Sequence, residues 1–226
     1  MIIAIDGPAG SGKSTVAKLL AEKLGFAYLD TGAMYRAVAW RALELGLDLS
    51  VDLDADPTLI AIATNEPIRF AYKEGEALPS EVYIADKDVT REIRFPETDL
   101  AVSPVSAALG VRKALIAQQQ RIGALQNTVM EGRDIGTVVF PDAELKIFLT
   151  ASPEVRADRR FKQNIERFGE NAPLSRDEIL ADIVRRDKYD SERAHSPLVP
   201  AADALTLDTS DMSIEEVVNW IANEAS

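Results

Sequence analysis

Apolar residues in the first fifty positions alternate between two spacings. Ile2-Ile-Ala-Ile5 is an unbroken apolar run, as expected of a strand buried on both faces. After a glycine-rich turn, Val16, Leu19, Leu20 and Leu24 recur at helical spacing, which predicts a helix over Lys13–Leu24 stopped by Gly25. Phe26–Leu29 reads as a second short strand, and a second helix is expected from about Ala33 to Leu45, ended by Gly46. Strand–helix alternation of this kind builds βαβ units and a parallel sheet. The apolar runs Thr128–Met130, Leu145–Leu149 and Ala204–Leu207 bring the sheet to five strands. Ligands of open α/β sheets bind at the carboxyl ends of the strands, where this chain places glycines and polar residues.

Residues 66–94 break the alternation. Ile68, Phe70 and Tyr72 follow a period of two, as do Val82 and Ile84, and the polar stretch between them contains Gly75 and Pro79. That pattern predicts an antiparallel insert. Helical spacing returns over Ala107–Gln120. Pro153–Arg167 is expected to be a charged helix, with a loop at Gly169–Pro173. Ser175-Arg-Asp-Glu178 and Ser213-Ile-Glu-Glu216 have the form of capping boxes opening the last two long helices.

The chain has 226 residues, 46% of them hydrophobic, which suffices for one α/β domain with insertions. Its net charge of −12 speaks against a nucleic-acid polymer or an anionic membrane as partner. It has no cysteine, which excludes disulfides, thiolate metal sites and a cysteine nucleophile. No apolar run reaches the ~18 residues of a membrane span. Met1-Ile-Ile-Ala-Ile-Asp-Gly7 runs straight into a motif without the basic region of a leader, so a cytoplasmic monomer acting on small molecules is expected.

That motif is Gly7-Pro8-Ala9-Gly10-Ser11-Gly12-Lys13-Ser14, a full match to G-x-x-x-x-G-K-[ST]. Glycines allow the backbone to turn several N–H groups inward on phosphates. The start of the following helix adds partial positive charge. Lys13 is placed to reach the β and γ phosphates, and Ser14 to supply a hydroxyl ligand to Mg²⁺. Together with Thr15, these residues form the candidate ATP site. The fold class expected is therefore a three-layer α/β P-loop fold with a five-stranded parallel sheet and a small antiparallel insert.

Phosphate binding alone leaves the reaction open. A signalling GTPase needs N-K-x-D, and no asparagine here is followed by lysine. A motor domain, a non-catalytic nucleotide-binding regulator and a small-molecule kinase remain. A kinase needs arginines on the acceptor side, and the acidic chain offers Arg36, Arg133, the trio Arg156, Arg159 and Arg160, and the trio Arg185, Arg186 and Arg193. Arg133 stands out because Glu131-Gly-Arg-Asp134 directly follows a buried strand.

The P-loop, Asp30-Thr-Gly-Ala-Met-Tyr-Arg36, Glu131-Gly-Arg-Asp-Ile-Gly-Thr-Val-Val-Phe-Pro-Asp142 and Pro197-Leu-Val-Pro-Ala-Ala-Asp203 together resemble the bacterial cytidylate kinases over essentially the whole chain. The resemblance implies transfer of the γ-phosphoryl of ATP, as Mg-ATP, to CMP or dCMP. It implies a single kinase domain with its core in residues 1–65 and 105–226, a CMP-binding insert at about 66–104 and a lid at about 153–170. It further implies that Thr31, Arg36 and Arg133 hold the CMP phosphate, and that Arg156 and Arg160 close on the transferring group. Ser103, Arg112 and Asp134 would read the base, and Arg186, Asp190 and Arg193 would lie near sugar and base, sharing one helix face by their spacing. The rival kinase readings are UMP/CMP, shikimate and dephospho-coenzyme A types. Glu131 stands where aspartate is common in relatives and is left outside the candidate set, as are His195, Trp40 and Trp220, which read as structural.

Overall fold

β1 (Ile2–Asp6) is buried along its whole length, as its apolar composition requires. The computed structural model, which describes residues 1–169, 174–193 and 195–225, continues from it into α1 (Lys13–Leu24), β2 (Ala27–Asp30) and α2 (Thr31–Glu44). The remaining strands of the large sheet are β6 (Thr128–Gly132), β7 (Leu145–Thr150) and β8 (Leu205–Asp208). The sheet is parallel, with the order β2-β6-β1-β7-β8. The expected five-stranded α/β architecture is thus observed.

Helix α2 begins at Thr31, two residues earlier than the apolar spacing predicts. The Asp30 carboxylate accepts from the Ala33 N–H at 3.0 Å and caps the helix there, a signal that a hydrophobic pattern does not carry.

The chain forms two compact units, one comprising Met1 and Ala21–Met130, the other Ile2–Leu20 and Glu131–Ser226. In the first, α2 packs against α3 (Pro57–Asn65), α4 (Pro96–Ala107), α5 (Leu109–Gly123) and the small sheet. That sheet is antiparallel, in the order β3 (Ile68–Tyr72), β4 (Pro79–Ile84), β5 (Lys87–Asp88). Its register sets Ile68 opposite Ile84 and Phe70 opposite Val82, as the alternation predicts. Met34, Leu59, Ile84, Ile93 and Leu115 fill the core of this unit.

The helix expected over 107–120 is observed as α5, whereas α4 before it was not expected. The chain breaks at Ala108, whose backbone is extended (ψ 118°), and α4 and α5 meet at 95°. Pro96 opens α4, and Pro104, lacking an N–H, sits in its last turn. Asp54 accepts from the Leu109 N–H at 3.1 Å and restarts the helix. α3 was not signalled by apolar spacing, but Asp56 caps it and Pro57 occupies its first turn.

In the second unit, β7 pairs with β1 and β8 in parallel register, Ile5 facing Ile147 and Phe148 facing Thr206. α6 (Pro153–Phe168) and α7 (Arg176–Glu192) pack on each other through Ala157, Ile179 and Ile183. Both predicted capping boxes are present, at α7 and at α8 (Ile214–Glu224). Of the loop expected at 169–173, residues 170–173 lie outside the described residues. Among the described residues, no single helix is long and apolar enough to cross a membrane.

Leu115 is fully buried in the first unit's core. Leu115→Ala is expected to lower unfolding free energy by about 3 kcal/mol, from lost transfer energy plus the cavity left behind. A urea melt would read this as an earlier midpoint at unchanged slope; a shift below about 1 kcal/mol would mean that the site closes around the alanine.

Candidate active site

The phosphate loop lies between β1 and α1. Gly7 (φ 148°) has no room for a side chain, since a Cβ there would lie 2.0 Å from the Leu149 carbonyl oxygen. Gly10 and Gly12 also have positive φ, 77° and 92°. The loop therefore curls in a way that L side chains resist, the kind of turn that points successive N–H groups at an anion.

Lys13 opens α1 and is 5% exposed, its ammonium donating to the Pro8 carbonyl at 2.7 Å. Burial pulls its pKa down to about 7, helped by the charge of Arg133 and opposed by Glu131, Asp6 and Asp190. Next to it, the Ser14 hydroxyl donates to Glu131 Oε2 at 2.8 Å. A hydroxyl and a carboxylate are the hard oxygen donors that Mg²⁺ prefers. Among the described residues no group of three or more His, Cys, Asp or Glu gathers as a dedicated cage. An ion that draws most of its ligands from phosphates and water fits that arrangement.

Arg133, Arg156 and Arg159 of this unit are engaged by carboxylates or carbonyls. Arg133 Nε donates to Asp190 Oδ2 at 3.1 Å. Arg156 is buried and donates to Asp187 through both terminal nitrogens (3.0 and 2.6 Å), to the Ala9 carbonyl at 3.1 Å and to the Ala151 carbonyl at 2.9 Å. It is thereby anchored to the phosphate loop itself. Arg159 donates to the Thr209 carbonyl at 2.6 Å and to the Thr209 hydroxyl at 3.1 Å. Arg160, one turn from Arg156, lies on the exposed side of α6.

Asp134 is buried at the start of a π-helical turn, Ile135–Val139, that follows β6. The turn is tied to β1, because Asp6 accepts from the N–H groups of Ile135 and Gly136, each at 2.8 Å. Burial pushes Asp6 up to about 6 against the lowering effect of those two N–H groups.

Arg186 and Asp190 lie one turn apart on α7, and Arg193 caps its end. α7 ends at Glu192, and Arg193 has extended backbone (ψ 143°). The chain folds back there: Ser196 has positive φ, its carbonyl accepts from Arg193 Nε, and the Leu198 N–H donates to the Asp190 carbonyl. Arg186 pairs with Asp182 at 3.0 Å, one turn earlier, which leaves the Asp190 carboxylate to Arg133.

In the other unit, Thr31 and Arg36 flank the start of α2. Arg36 Nε pairs with Asp99 at 3.1 Å, and Arg94 Nη2 with Asp30 at 3.1 Å. Burial pushes Asp30 up, but Arg94 and Arg36 outweigh it and hold its carboxyl below the usual range. Arg112 is 2% exposed, donates to the Ser106 carbonyl at 2.9 Å and stacks 5.5 Å from the Tyr35 ring centroid. Ser103 is on the same α4–α5 corner, its carbonyl accepting from the Ser106 hydroxyl at 3.0 Å.

Glu131 was weighed and left outside the candidate set, and Asp6, Asp187 and Arg94 were not singled out from the sequence. Glu131 and Asp6 had a usable signal, a carboxylate ending an otherwise apolar strand. Asp187 and Arg94 had none, since their partners are distant in sequence.

The cytidylate kinase family model matches residues 3–226. A cytidylate kinase of Enterococcus faecalis (strain ATCC 700802 / V583) is 49% identical over 221 residues, 98% of this chain and 93% of that protein. One from Streptococcus thermophilus (strain CNRZ 1066) is 48% identical over 223 residues, 99% and 95% of the two chains. A solved shikimate kinase from Bacteroides thetaiotaomicron is similar at 13% identity and a TM-score of 0.47, covering 100% of this chain and 98% of its own. The chain belongs to the cytidylate kinase family.

Proposed function

We propose that this chain transfers the γ-phosphoryl group of ATP to CMP or dCMP, yielding ADP and CDP or dCDP. The observation that carries this reading is the whole-chain family match together with Asp134, a buried carboxylate beside Arg133 in the unit that holds the phosphate loop. A nucleoside monophosphate has a second pKa near ~6, so its phosphate is already a dianionic nucleophile at neutral pH. No general base is needed, in keeping with a chain that has a single histidine. The obstacle is repulsion between two polyanions, and the remedy is positioning plus positive charge.

Lys13 and the loop N–H groups grip the β and γ phosphates, and Gly7–Thr15 as a whole forms the ATP site. Ser14, with Glu131 through water, would hold Mg²⁺, which supplies charge neutralisation on the transferring phosphoryl. Thr31, Arg36 and Arg133 take the acceptor phosphate, since a guanidinium matches phosphate oxygens and cannot lose its charge. Arg156 and Arg160 stabilise the group in flight, Arg156 acting from its anchor on the loop. Asp134 accepts from the exocyclic amine of cytosine, and Ser103 and Arg112 donate to N3 and O2. Uracil presents O4 where cytosine has the amine, setting two acceptors against each other. Arg186, Asp190 and Arg193 lie toward the sugar. Residues 66–104 serve as the acceptor-binding insert and 153–170 as the lid, within one kinase domain working as a cytoplasmic monomer on small molecules.

Incubating the protein with Mg-ATP and each of CMP, dCMP, UMP, AMP and shikimate, and following ADP, tests the reading. CMP and dCMP should support turnover well above the others; a preference for shikimate or AMP would overturn it. Lys13→Ala should reduce kcat by at least about a hundredfold, the usual size of one lost electrostatic contact to the transition state. Asp134→Ala should lower kcat/KM for CMP by about tenfold or more while leaving the KM for ATP within about twofold, and so narrow the preference for CMP over UMP. The direction of the Lys13 shift also fixes a pH dependence. Above pH 7 the free enzyme holds Lys13 neutral, and ATP binding must draw a proton to it. Between pH 7.5 and 9, where the phosphates are fully ionised, ATP affinity should therefore fall by up to about tenfold per pH unit. Equilibrium titration would show this slope in the unmodified enzyme and a flat profile in Lys13→Arg.

A further inference from the structure

We infer that Asp6 is a positioning residue for acceptor recognition, holding in place the turn that presents Arg133 and Asp134. The inference rests on the reading that those two residues take CMP.

The other four residues of β1 are Ile2, Ile3, Ala4 and Ile5, all buried, and an apolar residue at position 6 would continue that packing. A buried carboxylate there needs a reason, because taking it out of water is costly unless strong donors meet it. The donors are the consecutive N–H groups of Ile135 and Gly136, one on each carboxylate oxygen, both at 2.8 Å. Two bonds from adjacent residues fix both the distance and the rotation of the peptide segment they hold.

Asp134 immediately precedes that segment. Its backbone (φ −147°, ψ 28°) lies outside the regular helical and strand conformations, and its carbonyl accepts from the N–H groups of Val138 at 2.9 Å and Val139 at 3.2 Å. The turn thus hangs from Asp134 on one side and from Asp6 on the other. Its far wall is Lys146, since a Cβ on Gly136 would lie 3.1 Å from Lys146 Cδ and 3.2 Å from Cγ. Lys146 is itself fixed by Asp203 at 2.8 and 2.9 Å and by the Pro141 carbonyl. Gly136 is therefore held between a carboxylate and a methylene stem, which leaves the turn one position. Besides the two N–H groups, Asp134 and Lys13 are the charged groups that act on Asp6, the first raising and the second lowering its pKa. Moving the turn would move Asp134 directly, and with it Arg133 one residue before.

The test is steady-state kinetics of Asp6→Asn with CMP, UMP and ATP, alongside far-UV circular dichroism and thermal melting. Asparagine keeps one acceptor but turns an amide donor toward the second N–H. The KM for CMP is expected to rise by about tenfold and the preference for CMP over UMP to narrow by a similar factor, with the KM for ATP within about twofold. A folded variant with unchanged CMP kinetics overturns the proposal. So does an equal rise in KM for ATP, which would assign Asp6 to the phosphate loop instead. Should Asp6→Asn fail to fold, Gly136→Ala decides: it keeps Asp6 but pushes the turn off Lys146, and must show the same CMP-selective loss. Wild-type CMP kinetics in folded Gly136→Ala overturn the proposal. Failure of the unmodified enzyme to phosphorylate CMP is a separate result, which removes the parent reading and this inference with it.

Discussion

Burying an ammonium group as deeply as Lys13 sets terms for everything around it. Without compensation such a charge is either expelled to solvent or neutralised. Here the Pro8 carbonyl meets the ammonium directly, while Glu131, Asp6 and Asp190 raise its proton affinity against burial and against Arg133. Glu131 and Asp6 stand in fixed places because of the strands, and Asp190 because of α7. β1 is apolar until Asp6, and β6 is buried up to Glu131 and ends one residue later. On β1 and β6, charge enters only where the strand reaches its carboxyl end, the edge at which open α/β sheets bind ligands. The same rule that builds the sheet therefore delivers two of the acids that raise the proton affinity of Lys13 against its burial.

How much of this was legible follows from sequence distance. The phosphate loop could be read in full because all of its parts lie within eight residues and each has a fixed stereochemical duty. The capping boxes at Ser175 and Ser213 are equally local, and both formed. The antiparallel insert showed itself through a period of two that only a half-buried strand produces. The α4–α5 corner was not visible, because Pro104 and the Asp54 cap act against a background of continuous apolar spacing. The Asp6 contacts span 129 and 130 residues, and no local pattern encodes them. The end of α7 was not legible either: Arg193 caps it, and Ser196, with positive φ, lies in the chain that folds back beyond.

Thr31, Arg36 and Arg112 of the first unit, which we propose serve the acceptor, follow a different logic from the loop. Asp30 caps α2 and so fixes where Thr31 and Arg36 emerge, and the same carboxylate pairs with Arg94. One buried acid thus does both structural and electrostatic duty. Arg112 shows the complementary solution. Buried on the Tyr35 ring and bonded to the Ser106 carbonyl, it keeps its guanidinium in one orientation at the α4–α5 corner. Arginine suits both places because its planar fork loses little freedom for each hydrogen bond it makes.

A common arrangement runs through both units. Arg36 pairs with Asp99, Arg133 with Asp190, Arg156 with Asp187 and Arg186 with Asp182. In a chain with 37 acidic and 25 basic residues, a free guanidinium would find a carboxylate in any case, so what matters is which one. Except at Arg156, which is buried and donates through both terminal nitrogens, these pairs are partly open to solvent on both sides, so they are weak in net terms even where their geometry is good. A phosphate dianion carries more charge and more acceptor oxygens than the carboxylate it would compete with. Weak pairing therefore preserves the direction of each guanidinium at little cost to ligand affinity. The acidic excess that argues against polyanionic partners at long range is, at short range, what keeps the arginines aligned for a small one.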